Sequence, residues 1–227
     1  MTIKLEDTLI RQMDLIPMEA LGKRITIVGA GAVGSWVALS LVKMGFSNVT
    51  VWDHDKIDVE NMNCQFYPVA EIGQPKVMAL HRMIKMFTNI DITPMEMKWD
   101  KSFELKDEII IAAVDSMAVR KEIFESCKHP EIFIDPRMGA ETMLLYTFNP
   151  NEPKDVEGYN ASWYSDDDAK FEKCTAKSTI YCANILAGIV CKTVKNIAVG
   201  QTYSRVLQWN LNGAVSPAAG FECWLSK

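Results

Sequence analysis

The sequence predicts an α/β protein, a doubly wound and mostly parallel sheet followed by a C-terminal helix and short strands. Three observations carry this. Short runs of β-formers alternate with helical stretches from Arg24 to Asp135. The run Glu108 to Val114, EIIIAAV, is almost wholly apolar, as a central parallel strand covered on both faces must be. A glycine-rich turn lies between the first strand and the first helix, Gly29-Ala30-Gly31-Ala32-Val33-Gly34.

The elements follow in order. Ile25 to Val28 is the first strand, and the helix after the glycine turn, about 32 to 44, sets Val33, Val37, Leu41 and Met44 on one face before Gly45 ends it. Asn48 to Trp52 is the second strand. Gly73 to Thr88 is a helix with Val77, Leu80, Ile84 and Phe87 in register, and Ile90 to Met97 is a strand. Beyond the apolar run, Met117 to Lys128 reads as a helix and Ile132 to Asp135 as a strand. Thr142 to Phe148 is another strand, and residues 149–173 are a polar stretch read as a long crossover-type loop, a length that usually signals function or disorder. Thr175 is placed to cap an apolar helix running to about Ala198, and Tyr203 to Leu211 reads as one or two strands.

Composition narrows the function classes. A length of 227 residues fits one domain, and 48% hydrophobic with 23% charged residues excludes a mainly disordered or fibrous chain. The net charge of −5 and pI of about 5.3 leave no basic surplus, which argues against general nucleic-acid binding. The longest apolar run, near Ile180 to Cys191, contains Asn184 and falls short of the roughly 20 residues that span a bilayer, so no transmembrane helix is expected. The first residues lack the apolar core and cleavage site of a secretory signal, and a cytoplasmic setting is expected. Six cysteines, at 64, 127, 174, 182, 191 and 223, form no C-x-x-C pair, so neither a disulfide framework nor a structural zinc site is expected. The three histidines have no metal-ligand spacing, and there is no P-loop.

The glycine turn permits close backbone approach to a phosphate or ribose, and Asp53, at the end of the second strand, is placed to accept hydrogen bonds from ribose hydroxyls. These features indicate an adenine nucleotide and leave ATP and NAD-type cofactors open. An NAD-dependent oxidoreductase shares both features.

Four segments together resemble the ThiF/MoeB and ubiquitin-activating-enzyme superfamily over about residues 8–198: RITIVGAGAVGS at 24–35, VWDHDKIDVENMNCQ at 51–65, IGQPKV at 72–77 and AAVDS at 112–116. The resemblance implies one Rossmann-like adenylation domain over 1–227. It also implies adenylation, with ATP and Mg2+, of the C-terminal carboxylate of a small ubiquitin-like or sulfur-carrier protein ending in glycine. By resemblance Gly29, Gly31 and Gly34 cradle the nucleotide, Asp53 binds the ribose, Lys76 reaches the α-phosphate and Asp115 holds magnesium. The resemblance also places Asn61 and Gln65 where the family has a polar pair flanking the phosphates. Read without the resemblance, Lys76 is a solvated helix lysine and Asp115 a helix cap.

Two departures stand out. Many members carry an arginine at the position of Cys64, where it contacts the triphosphate, so Arg82, Arg120 and Arg137 become candidate replacements; weaker ATP use or a pseudoenzyme are the other outcomes. ThiF and MoeB carry paired zinc cysteines that this chain lacks. Arg11 resembles the N-terminal arginine that in homodimeric members enters the partner's ATP site, and is otherwise an exposed helix arginine. Cys174-Thr175 resembles the thioester cysteine of eukaryotic activating enzymes, sited at a helix N-terminus that would favour the thiolate, with a downstream conjugating protein as a further partner; its plain alternative is a partly buried cysteine. Adenylation of a peptide or a tRNA base, or a nucleotide-binding scaffold, are the other readings.

Overall fold

The first strand, β1 (Ile25–Val28), is buried at every position and is flanked on both sides by parallel partners, β2 (Val49–Trp52) and β4 (Ile109–Ala112). β-Branched and aliphatic residues with no polar face leave such a strand no alternative to the middle of a sheet. In the computed structural model, which describes residues 5–100, 102, 107–127, 130–164 and 178–211, β1 and β4 are the centre of a seven-stranded sheet. Its other strands are β3 (Thr93–Met95), β5 (Ile132–Gly139), β6 (Thr142–Phe148) and β7 (Val206–Asn210), in the order β3-β2-β1-β4-β5-β6-β7. The first five run parallel; β6 and β7 are antiparallel additions at one edge.

Alternation along each strand divides two cores. Ile25, Ile27, Ile109, Ile111 and Ile134 face one side, where they meet helices α2 (Gly34–Lys43), α3 (Lys76–Thr88) and α6 (Ile180–Ala198). Val28, Ile110, Ala112 and Phe133 face the other, packing with α4 (Met117–Ser126), α5 (Pro153–Asn160), Trp52, Trp99 and Phe148. The N-terminal helix α1 (Leu5–Leu9) and the turn after it close the first core through Leu9 and Ile16.

The structure departs from the sequence expectations at several elements. The stretch 149–173 is not all loop: α5 occupies Pro153–Asn160, because the N–H that proline lacks would have no intrahelical partner at the helix start and Tyr159 buries its ring among Phe124, Phe133 and Phe148. The long helix starts at Ile180 with Thr179 as its N-cap, and Ser178 is held in a β-bridge to Ala140, so Thr175 does not cap it. Cys174 and Thr175 lie outside the described residues. Finally, α6 is 19 residues long and apolar enough, by length and composition alone, to cross a membrane. Within the fold Cys182, Leu186, Val190, Cys191 and Val194 are buried in the first core, and it is read as a core helix.

β5 also runs four residues further than the alternation indicates, because its end at Gly139 pairs with Thr142 in the hairpin to β6. In the opposite sense, α3 starts at Lys76 and not Gly73, whose φ of +87° and the following Gln74-Pro75 form a turn.

Candidate active site

The order of strand addition reverses between β1 and β4, with β2 and β3 laid down on one side of β1 and β4 and β5 on the other, and the loops leaving the carboxyl ends of β2, β1 and β4 therefore open onto one crevice. Trp52, Val28 and Ala112 stand in register across these three strands, so Asp53, Gly29 and Ala113 leave them side by side, within about 10 Å at ~4.8 Å per strand.

Two of the glycines in the turn are obligatory. Gly29 has φ +101° and would drive a Cβ to 2.3 Å from the Ala113 carbonyl oxygen; a Cβ on Gly34 would stand 1.9 Å from the Gly29 carbonyl oxygen. The turn thus presses on residues 113–114 after β4 and closes on itself at the start of α2. Gly31 differs: a Cβ there meets nothing within 4 Å, which leaves its backbone facing open space that a nucleotide could occupy.

Asp53 holds this turn in place. Its Oδ2 accepts the Ala30 amide at 2.7 Å and its Oδ1 accepts the Asp55 amide at 2.8 Å. Each oxygen retains a lone pair for a ribose hydroxyl. The Tyr67 hydroxyl donates to the Ala30 carbonyl at 2.7 Å, and burial together with the nearby Asp53 charge keeps that phenol protonated, its pKa well above the ordinary value. The Phe66 amide donates to Ser35 Oγ, and Trp36 Nε1 donates to the Cys64 carbonyl. The segment carrying Asn61 and Gln65 is thereby tied to the first turns of α2.

Lys76 opens α3, whose start is stitched to the segment after Asp53: the Lys76 amide donates to the Asp55 carbonyl, and Lys56 bridges Pro75. Its side chain is 8% exposed, and its Nζ donates to Asp55 Oδ2 at 2.8 Å. Burial works to raise the Asp55 carboxyl, but the hydrogen bond and charge of Lys76 outweigh it and hold that carboxyl below its ordinary value. Asp53, His54 and Asp55 also form a group of two carboxylates and an imidazole whose ligand atoms lie within 4.8 Å of one another.

Asp115 is exposed, between the end of β4 and Ser116, the N-cap of α4, whose Oγ accepts the Val119 amide at 3.3 Å. An exposed carboxylate at the mouth of the crevice has the hard oxygen donors that suit magnesium, and the open backbone at Gly31 with the buried ammonium of Lys76 suits a triphosphate. The residues present fit both groups.

The remaining sequence candidates have partners or settings of their own. Asn61 Oδ1 accepts the Asp58 amide in a capping box, and Gln65 Oε1 is buried without a partner. Cys64 is 4% exposed and its Sγ accepts from Ser178 Oγ at 3.1 Å. The arginines proposed in its place are otherwise engaged: Arg82 pairs with Glu71 on the surface, while Arg120 and Arg137 are buried on Asp135. Arg11 is exposed in the turn after α1. Its neighbour Gln12 donates to the Met44 carbonyl at the far end of α2, about 15 Å of helix from the glycine turn, so Arg11 does not join the site of its own chain. Asp55, Tyr67 and Asp135 were not singled out from sequence. The tandem acids of DHD and an acid ending the apolar strand IFID were the available signals.

A glycine turn, Asp53, a buried lysine and an exposed carboxylate stand at the carboxyl ends of the strands in an α/β protein of the Rossmann-like type. The chain belongs to the ThiF family, whose model matches residues 11–219. It is 34% identical over 105 residues to the NEDD8-activating enzyme E1 catalytic subunit of Arabidopsis thaliana, covering 44% of this chain and 23% of that protein. It is 30% identical over 157 residues to the molybdopterin-synthase adenylyltransferase of Escherichia coli, covering 64% and 62%. To the tRNA threonylcarbamoyladenosine dehydratase 1 of Saccharomyces cerevisiae it is 29% identical over 128 residues, covering 52% and 30%. Matches therefore span less than two thirds of each of these relatives. Among solved structures the fold is similar to PaaA, with a TM-score of 0.72 at 16% identity over 93% of this chain and 72% of that one. It is similar too to E. coli MccB crystallised with ATP, with a TM-score of 0.67 at 12% identity over 94% and 73%.

Proposed function

We propose that this chain is an ATP- and magnesium-dependent adenylyltransferase that activates the C-terminal carboxylate of a small ubiquitin-like or sulfur-carrier protein. The observation that carries the reading is the convergence on one crevice of the open glycine turn, Asp53, Lys76 and Asp115. Family membership and the names of the plant and bacterial relatives support it.

The chemistry must bring two anions together, and catalysis of that kind comes from positioning and charge neutralisation. In this reading Asp53 orients the ribose, and Lys76 shifts from Asp55 to the phosphates as they arrive. Asp115 holds the magnesium ion, which when bound neutralises phosphate charge. The partner's carboxylate then attacks the α-phosphate, and the bond to pyrophosphate breaks as the acyl–phosphate bond forms. Cys174, four residues before Ser178, is proposed to take the acyl group as a thioester, releasing AMP and passing the group to a downstream conjugating protein. A homodimer in a cytoplasmic setting, with Arg11 serving the partner's site and no zinc, completes the proposal.

ATP–pyrophosphate exchange tests it, with and without a carrier protein ending in Gly-Gly. Carrier-dependent exchange is expected, together with a thiol-sensitive conjugate that disappears in Cys174→Ala while exchange survives. A second reading, a nucleotide-binding scaffold, is favoured by the burial of Cys64 and the engagement of Arg120 and Arg137 with Asp135. Nucleotide binding without exchange under any condition would establish that reading. Exchange with a peptide or tRNA instead of a carrier protein would change the substrate class.

A further inference from the structure

β4 and β5 are paired only as far as Ile111 and Ile134. Beyond that point no β4–β5 register is formed, while Ala112 stays in register with Val28 and Pro136 with Leu145 on their other sides. The Arg120 side chain fills the gap. Its Nη1 donates to the Ala112 carbonyl at 2.6 Å, to the Pro136 carbonyl at 3.3 Å and to Asp135 Oδ1, and its Nη2 donates to the Val114 carbonyl. Arg120 is 3% exposed and Asp135 fully buried. On the other carboxylate oxygen, Asp135 accepts from Arg137 Nε and the Tyr159 hydroxyl, each at 2.8 Å.

A buried ion pair is a costly way to fill a gap, because apolar packing of the same volume usually leaves a fold as stable or more so. What the guanidinium does that a leucine would not is hold three carbonyls in a planar fork of donors. The opposite side of the same backbone is also fixed: Gly29 lies so close to Ala113 and Val114 that a Cβ would reach the Ala113 carbonyl oxygen. Residues 112–114 are therefore gripped between Arg120 and the glycine turn, and Asp115 is the next residue.

We propose that Arg120, anchored by Asp135, is a positioning residue for Asp115: it clamps the backbone of residues 112–114 against Gly29 and so sets where the Asp115 carboxylate stands relative to the nucleotide turn. The proposal rests on the reading of Asp115 as the magnesium carboxylate.

Arg120→Lys keeps a cation beside Asp135 but has no fork to span the Ala112 and Val114 carbonyls. Amide hydrogen exchange of the purified protein, followed by mass spectrometry over residues 113–116, is expected to speed up about tenfold while β1 and the centre of β4 keep their protection. In parallel, the ratio of ATP affinities with and without Mg2+ is expected to fall about tenfold, as it does when a partner behind a metal ligand is lost. Magnesium-free ATP affinity stays at the wild-type level. Asp135→Asn, which keeps the shape but removes the anchoring charge, should move both readouts the same way. Wild-type exchange and a wild-type affinity ratio in Arg120→Lys would overturn the proposal. So would loss of protection across the whole sheet in both variants, since that marks a purely structural residue. The parent reading fails separately: if Asp115→Ala keeps the wild-type affinity ratio, Asp115 is not the metal carboxylate, whatever the exchange data say of Arg120.

Discussion

The Lys76 ammonium is paired with Asp55 at 2.8 Å while its own side chain is 8% exposed and that of Asp55 is 52% exposed. A nearly buried cation thus looks outward onto a half-solvated anion, an arrangement in which an arriving phosphate can compete for the lysine without first forcing it out of water. Lys76→Met should lower ATP–pyrophosphate exchange by at least about 10²-fold, the loss typical when one charge-stabilising donor is removed. Asp55→Asn should leave the lysine's charge unpaired in the nucleotide-free protein and lower its melting temperature, with ATP restoring more stability than it adds to the wild type.

The same pair has an acid limit. Because Lys76 outweighs burial and holds the Asp55 carboxyl below its ordinary value, its contribution to stability is complete above the unfolded carboxylate value of about 3.9. It is lost as pH falls through the lower folded value. Denaturation curves of wild type and Asp55→Asn should therefore differ at pH 7 and converge as the pH falls through the lowered folded value of the Asp55 carboxyl.

Glycines separate folding from binding. Gly34→Ala puts a methyl 1.9 Å from the Gly29 carbonyl oxygen and should destabilise the fold by several kcal/mol, the scale reserved for severe core strain. Gly31→Ala meets nothing within 4 Å and should melt within about 1 kcal/mol of wild type, as exposed changes do, while weakening nucleotide binding. Thermal unfolding alongside ATP titration distinguishes the two; equal binding in Gly31→Ala would remove that backbone from the nucleotide site.

Asp115 is exposed, so Asp115→Ala should change stability by no more than about 0.5 kcal/mol yet abolish exchange. Normal exchange in that variant would take magnesium binding away from the residue.

Thiol chemistry should single out one region. Burial raises the Cys127 and Cys191 thiols to about 12 and, with help from the Glu141 charge, Cys182 to about 11. At pH 8 a thiol of pKa 12 is thiolate in only about one molecule in 10⁴. Iodoacetamide applied to the native protein should leave these three unmodified while labelling Cys174, as the thioester proposal requires. Peptide mapping that finds Cys174 protected would count against its role as nucleophile.

Much of the fold was legible because its signals are local. The apolar run ending at Ala112 and the β-formers of Ile25–Val28 specify buried parallel strands by composition alone, and the glycine turn marks the strand-to-helix junction. Asp53 was legible for the same reason, since its place at the end of β2 follows from chain order. The helix at Pro153–Asn160 was not, because its sequence is polar on average; it is held by one buried ring, Tyr159, whose aromatic neighbours come from β5, β6 and α4. The start of α6 was misplaced because Thr175 and Thr179 are both acceptable caps, and only the bridge between Ser178 and Ala140 separates them.

By itself the sequence determined the alternation of strands and helices, the glycine turn and the residue types that nucleotide and metal chemistry require, since these depend on patterns within a few tens of residues. Only the tertiary structure decided how those residues are employed. It paired Lys76 with Asp55, turned Cys64 inward to Ser178, and spent Arg120 and Arg137 on Asp135. The physical reason is that a charge's role depends on which opposite charge or carbonyl the fold brings within about 3 Å, and such partners, whether two residues away or more than a hundred, follow no period in the sequence.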